Sequence, residues 1–475
     1  MDSRIVDHEE AGPAMNTGRG WLALVLATLA VIGAGAAERL GPAPLPEAEA
    51  SGAVSSVWLC PHGGGEGWEG TIEIANPGDV PVEARLHTLS GGGPSAVGVV
   101  EVPPHGETVR EVPASARGAS TAVEIFGGWA AVAWVVRAGG KDGGMGAEPC
   151  TSSPAGTWSV VDGDTSQGVH SYLIVMNPFA SDAVIDVALY LPDRPPVREA
   201  DWTDLPVRAE RSIALDLGPR ALGESIVGAQ VIATRGRIAV ASLVVRNRGG
   251  IRSVLGATAD APRWILPVAG GTGGGTVSLQ VPGDAGIRFG GTLLSTSPPQ
   301  TAGNLTVIRQ GGASTVSAPV RTFGPSAVVV QVDGAGVVSA GLREGGPGPD
   351  DAATGGTATP GRAWVVLPTA LGGAKKPAVV LVNDGDEAVA ATLQLLPEGG
   401  GSLGDTITVT VEAHGAAGVP RPFLQGDPTA AVLVVAAGDL VALGAGTSGP
   451  GGDGWYAMAL GVPVPLGVTG LPAPP

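Results

Sequence analysis

The chain has 475 residues, a formal net charge of −17, and 44% hydrophobic but only 4% aromatic residues. The acidic balance argues against nucleic acids and anionic lipid surfaces as partners, because both bind clustered Lys and Arg. Gly (78 residues) and Pro (41 residues) stand between β-branched runs, which predicts strands joined by turns rather than disorder.

The N-terminal part carries one long apolar run. Residues 21–37 hold no charged side chain and reach the lower length limit for crossing a bilayer. They predict a transmembrane signal anchor with residues 1–20 as a cytoplasmic tail, so that the membrane is one partner. The alternative is a secreted chain whose signal peptide is cleaved near Ala36. The long acidic tail favours the anchor, and the Pro-containing residues 38–56 predict an extended linker.

Two cysteines, Cys60 and Cys150, bracket the first hundred-residue stretch after the linker. In an exported chain such a pair predicts a disulfide, with two unpaired thiols as the alternative. Together with the nearby His62 they lack the spacing of a structural zinc site.

Tryptophan recurs at intervals of 100, 106, 100 and 91 residues, which predicts tandem units. Short alternating runs separated by turns every 8–12 residues are typical of an immunoglobulin-like β-sandwich. We therefore predict an all-β protein with four such units, at residues 57–157, 158–262, 263–360 and 361–475. The repeat-core indoles are Trp58, Trp158, Trp264, Trp364 and Trp455.

A closed β-propeller-like ring is the alternative fold. Each unit would then supply two four-stranded blades, and the Trp455 strand, which has no unit behind it, would close the ring.

Asparagine turns repeat with the same order, at Asn76-Pro77, Asn177-Pro178 and Asn383-Asp384. The succession of Trp strand, apolar strand, Asn turn and Val-rich strands resembles actinobacterial exported, membrane-anchored proteins of a domain-of-unknown-function family. It is also similar to β-sandwich repeats of bacterial surface proteins. The resemblance covers nearly all of residues 54–470 and implies an extracytoplasmic location without known activity.

Residues with potential chemistry are few. Asp162–Gly168 begins like a calcium loop, but its glycine is one place late and Leu173 stands where Glu belongs, which predicts a solvated loop. His105 and His414 fall at turns. No metal-ligand pair is formed by the histidines, which stand at positions 8, 62, 87, 105, 170 and 414. We therefore predict no catalytic residue, metal or cofactor.

Trp68 and Trp202 lie off the repeat period. They are candidate platforms for a sugar ring if exposed, or covers for the end of a sandwich if buried. The predicted function is a non-catalytic structural or protein-interaction scaffold of the cell envelope. The alternatives are an array of modules that bind cell-wall polysaccharide, and an envelope enzyme of unrecognised type.

Overall fold

The computed structural model describes residues 56–475, except for 140–142, 248, 271–273, 284–286, 297–299, 302–306, 310–313, 323, 335, 347–349, 368–376, 401–405, 426–429, 449–453 and 466. In this part of the chain, no helix has the length and apolar character needed to span a membrane. The predicted tail at 1–20 and span at 21–37 lie outside the described residues, as does the linker up to residue 55.

The prediction of an all-β chain is confirmed, and four successive stretches of strands share one strand order. In repeat 1 the strands are β1 (Ser56–Cys60), β2 (Glu69–Asn76), β3 (Val82–Leu89), β4 (Ser95–Val102), β5 (Gly106–Pro113), β6 (Ser120–Phe126), β7 (Ala131–Ala138) and β8 (Gly144–Pro149). They form two antiparallel sheets, a first sheet ordered β1-β6-β3-β4 and a second sheet ordered β5-β2-β7-β8.

Repeat 2 has the same two sheets, ordered β9-β15-β11-β12 and β14-β10-β16-β17. Its elements are β9 (Thr157–Gly163), β10 (Val169–Asn177), β11 (Ala183–Leu191), β12 (Arg194–Arg198), a 3₁₀ turn (Ala200–Trp202), β13 (Leu205–Val207), β14 (Arg211–Asp216), β15 (Val227–Arg235), β16 (Ala239–Arg246) and β17 (Ile251–Leu255).

In repeat 3 the strands are β18 (Arg263–Val268), β19 (Gly275–Val281), β20 (Ile287–Ser295), β21 (Gln300–Thr301), β22 (Val307–Arg309), β23 (Ser314–Val320), β24 (Ser326–Val332), β25 (Ser339–Gly345) and β26 (Asp351–Gly355). Repeat 3 orders these strands β18-β24-β20 in its first sheet and β23-β19-β25-β26 in its second sheet.

Repeat 4 differs in that one long strand, β32, serves both sheets. Its elements are β27 (Gly361–Val366), β28 (Ala378–Asn383), β29 (Val389–Leu396), β30 (Thr406–Val411), β31 (Gly415–Gly418), α1 (Arg421–Leu424), β32 (Ala431–Ser448), β33 (Trp455–Leu460) and β34 (Val462–Pro463). The first half of β32 pairs with β27 and β29, and the second half pairs with β28 and β33.

Within a repeat, side chains from the facing surfaces of both sheets share one core. Strand β3 shows why: its buried and exposed residues alternate, as expected for a strand with one face on a core. Leu86 of β3 belongs to the same apolar cluster as Ile72 of β2 and Trp134 of β7. The cores are built from Val, Ala, Leu and Ile around a few indole rings, as the composition requires.

The four repeats close into a ring. Strands β8, β17, β26 and β33 hold the same place in the four repeats. They contact one another in a cycle, β8 with β17, β17 with β26, β26 with β33, and β33 with β8. Repeat 4 reaches repeat 1 through Glu107, whose backbone N–H donates to Pro397 O at 2.9 Å and whose Oε2 accepts from Ala431 N at 2.7 Å. The central strands approach closely: a Cβ on Gly144 would lie 2.5 Å from Ile251 N, so only glycine fits.

The prediction for Trp455 is wrong. The residue begins β33, which corresponds to β8 of repeat 1, whereas the other four period tryptophans lie on the first strands of their repeats. It is half-buried against a small cluster of repeat 1 that includes Met145. Its place corresponds to Gly144 of β8, because β33 pairs with the end of β32 as β8 pairs with β7. The strand helps to close the ring, but the spacing of 91 residues is not a repeat period.

Candidate functional site

The other four period tryptophans are buried anchors on β1, β9, β18 and β27. In three repeats the indole Nε1 donates to a backbone carbonyl at 2.7–3.0 Å. The pairs are Trp158 with Ile238 O just before β16, Trp264 with Val338 O just before β25, and Trp364 with Leu440 O within β32. Trp58 is the exception: its Nε1 has no hydrogen-bond partner among the described residues, and its ring packs edge-on against Trp129 with centroids 6.0 Å apart.

The predicted disulfide between Cys60 and Cys150 is present, and the other repeats show what it replaces. Cys150 N donates to Val132 O at 2.9 Å, as Gly256 N does to Val240 O. Cys150 thus occupies the place that glycine holds in repeats 2, 3 and 4, at Gly256, Gly356 and Gly461. A Cβ on Gly256 would lie 3.0 Å from the Trp158 ring, so the glycine lets the anchor tryptophan pack.

The recurring asparagine is a structural residue. Asn177 is buried at the end of β10, and its Nδ2 donates to the carbonyls of Ser181, Val207 and Arg208. Its Oδ1 accepts from the N–H of Phe179 two residues on, which forms an Asx turn. Asn76 and Asn383 make equivalent bonds. The sequence motif therefore marks a turn that is tied to the neighbouring strands.

The residue just before β5, β14 and β31 has a left-handed backbone conformation. Its φ is 49° at His105, 50° at Glu210 and 49° at His414. The backbone N–H groups of these residues donate to the asparagine turns, at Gly78 O, Phe179 O and Gly385 O. The interpretation of His105 and His414 as turn residues agrees with these positions.

The sequence predicts a solvated loop at Asp162–Gly168, but only its end, at Gln167 and Gly168, is exposed. Asp162 and Asp164 are buried and face Arg252 of β17, whose Nε donates to Asp162 Oδ2 at 2.9 Å. Arg252 Nη1 also donates to both carboxylate oxygens of Asp351 in repeat 3, at 3.1 Å. Burial would lower the pKa of Arg252, but the three carboxylates together raise it above its ordinary value. A guanidinium therefore occupies the place of a cation and joins repeats 2 and 3.

Trp68 and Trp202 are not exposed sugar platforms. Only 7% of Trp68 and 6% of Trp202 is exposed, and each ring lies under a guanidinium, that of Arg117 and that of Arg220. The rings take part in cation–π packing. Their burial agrees with the alternative, in which they cover the end of a sandwich. This removes the feature on which the glycan-binding prediction depended.

Several buried titratable groups lie at contacts between elements. Burial raises the pKa of Glu73 to about 8, against the opposing effect of Arg137. Burial also raises the pKa of Asp350 to about 8, although its oxygens accept from Asp351 N and Tyr456 N at 2.9 Å. Burial lowers the pKa of His62 to about 4, so its imidazole is neutral at pH 7. Each of these shifts follows first from desolvation of the charged form.

Glu148 is a buried residue of β8. It lies beside a cavity of about 100 Å³ lined by residues of all four repeats, and burial holds the pKa of its carboxyl well above the usual range. Polar groups of Thr354, Gly355 and Leu255 oppose this rise of the Glu148 pKa. Within the described residues, no group of three or more His, Cys, Asp or Glu is arranged to hold a metal ion.

A cleft of about 660 Å³ opens between repeats 1 and 2, and we refer to it as the 1/2 cleft. One wall is the outer face of the first sheet of repeat 1, and the other is the asparagine turn of repeat 2. The lining residues are Val57, Leu59, His87, Leu89, Pro94, Ala122, Glu124, Ser152, Pro154, Pro178, Phe179 and Glu210.

The 1/2 cleft combines an apolar floor with an acidic rim. Leu59 and Leu89 are buried in it, whereas Val57 is 45% exposed and Phe179 is 39% exposed. Glu124 and Glu210 also line it, and Glu124 lies 3.9 Å from His87. The sequence gives little sign of this site, because its residues come from three strands, three turns and the segment after β8, which only the packing of repeat 1 against repeat 2 brings together.

A family model for DUF5719, described as a family of unknown function, matches residues 114–422. The match begins just before β6 and ends within α1, so that it includes the whole of repeats 2 and 3. A search of curated proteins finds no match. The chain therefore belongs to the DUF5719 family, a family of unknown function.

Proposed function

We propose that this protein is a non-catalytic, extracytoplasmic scaffold of the cell envelope that binds another protein through the 1/2 cleft. In this proposal the four repeats are immunoglobulin-like sandwiches, the source is an actinobacterium, and residues 21–37 anchor the chain in the membrane with the ring outside. The observation that carries the proposal is the open cleft with its exposed Val57 and Phe179.

The roles of the recurring residues support a scaffold. The period tryptophans on first strands, the asparagine turns and the buried Arg252 cluster each serve packing or charge pairing inside the ring. Large exposed apolar side chains that line a concave surface are typical of interaction sites. The disulfide supports the extracytoplasmic location, because disulfides persist in oxidising compartments.

Site-specific photo-crosslinking in intact cells tests the interaction. A benzophenone amino acid replaces Phe179 in the full chain, and a matched variant carries it at Leu222, which is 84% exposed and does not line the cleft. We expect a discrete protein adduct from position 179 and none from position 222. Equal adducts from both positions, or none from position 179, would overturn the binding role.

The location is tested by the redox state of the same protein in cells. Acid quenching followed by thiol alkylation should leave Cys60 and Cys150 unlabelled, because an exported chain holds them as a disulfide. Labelling of both cysteines in the main population would place the chain in a reducing compartment and refute the envelope location.

A further inference from the structure

Other junctions of the ring show how clefts equivalent to the 1/2 cleft are filled. Arg263 of repeat 3 stands where Val57 stands in repeat 1, since each lies one residue before the anchor tryptophan. Its guanidinium forms an ion pair with Asp384 in the asparagine turn of repeat 4. At this junction a cation from one repeat meets an acid on the next.

The junction between repeats 4 and 1 is covered by the C-terminal segment of the chain. Val464 N donates at 2.9 Å to the carbonyl of Ala363, the residue equivalent to Val57. Farther along, Thr469 Oγ1 donates to Asp79 Oδ1 at 2.7 Å in the asparagine turn of repeat 1. An extended segment thus adds to the first-strand edge and continues across the turn.

In repeat 1, the described segment that follows β8 does not cover the same edge. Leu59 exchanges two backbone hydrogen bonds with Thr151, at 2.8 and 3.0 Å, but Ser153 N then donates to Thr151 Oγ1 and the chain bends away. Because backbone groups of alternate residues in a strand point to the same side, the N–H and C=O of Val57 face the edge that Leu59 uses. In the part of the chain that the structure describes, the strand edge at the mouth of the 1/2 cleft is therefore open to an added segment.

The acidic rim distinguishes this cleft from its equivalents. Glu124 pairs with Val57 across the strands, in the place of Gln331 in repeat 3 and Val435 in repeat 4. Glu210 stands where His414 and His105 stand in repeats 4 and 1. Both departures from the repeat pattern add negative charge, which complements a cationic partner.

We propose that the 1/2 cleft binds an extended segment of a partner protein that adds to the β1 edge at Val57. The segment places an aliphatic side chain against Leu59 and Phe179, and an Arg or Lys beside Glu124 and Glu210. This inference rests on the proposed function and specifies its partner chemistry. The mode is strand addition, in which main-chain hydrogen bonds hold the peptide and pockets select alternate side chains.

A random heptapeptide library displayed on phage tests this chemistry against the oxidised full chain. We expect enriched peptides with alternating aliphatic residues and at least one Arg or Lys. Their binding should be lost with Phe179→Asp and retained with the matched surface variant Leu222→Asp. Removing both rim charges, with Glu124→Gln and Glu210→Gln together, should weaken the enriched peptides by about tenfold, with a smaller effect at high salt.

The outcomes separate this inference from the proposed function. Peptides that depend on Phe179 but carry acidic or uncharged sequences would overturn the cationic, extended partner and leave a binding cleft. Peptides that ignore Phe179→Asp, or no enrichment over an empty support, would overturn the cleft as a peptide-binding site. Each variant should unfold at the same temperature as the wild type, which shows that its fold is intact.

Discussion

Replacing Cys60 by valine and Cys150 by glycine would give repeat 1 the pair that repeat 2 uses at the same places. In repeat 2 these are Val160 and Gly256, beside the anchor Trp158. The double variant therefore removes the cross-link but supplies a packing solution that the fold already contains. We expect the native ring to form, because no buried polar group or large cavity is introduced.

The cost should come mainly from the unfolded chain. The disulfide joins residues 90 positions apart. On the chain-entropy model, opening a loop of this length lowers the free energy of unfolding by about 4–5 kcal/mol at 25 °C. Urea denaturation followed by tryptophan fluorescence measures the change, with an unchanged slope showing that the native and unfolded states expose the same surface.

Reductant provides the control. Reduced wild-type protein should lose a similar amount of stability, and the double variant should not respond to reductant. A loss below about 1 kcal/mol in the double variant would refute the assignment of the disulfide's contribution to chain entropy. A native fluorescence spectrum unlike that of the wild type would instead show that repeat 1 cannot adopt the packing of repeat 2.

Four further changes test individual parts of the ring. Gly356→Ala should lower the free energy of unfolding by about 1–3 kcal/mol, because the new Cβ would lie 2.5 Å from a buried leucine, whereas Gly290→Ala, with open space around it, should have little effect in the same urea assay. Asn383→Ala should cost about 2–4 kcal/mol by chemical denaturation, since it leaves several buried carbonyls without a donor. Arg252→Met should cost about 3–5 kcal/mol at pH 7, because it removes the buried cation from three carboxylates and leaves only the less buried Arg246 and Arg343 beside them, and a near-neutral result by calorimetry would contradict the pairing. Glu73→Gln should remove a pH dependence of stability. Because the pKa of the Glu73 carboxyl is raised from 4.5 to about 8 in the folded state, the wild type should lose stability as pH rises from about 4 to 8. The urea midpoints of variant and wild type should therefore agree at about pH 4, and the variant should have the higher midpoint at about pH 8.

The sequence by itself predicted the strands, the turns and the disulfide, because these depend on local patterns. Alternation marks a strand with one buried face, and an asparagine turn marks where the strand ends. The period also identifies four indoles on first strands. Trp455 has a spacing that resembles a repeat, but it lies on β33, which corresponds to β8 of repeat 1.

Only the tertiary structure decided which distant residues meet. Arg252 pairs with Asp162 and Asp351 across two repeats, so the acidic first part of the loop is buried. Trp68 and Trp202 are covered by guanidinium groups, which no local pattern indicates. The 1/2 cleft exists because the first sheet of repeat 1 lies against the asparagine turn of repeat 2. Periodicity records which face of a strand is buried, but it carries no information about the partner that buries it.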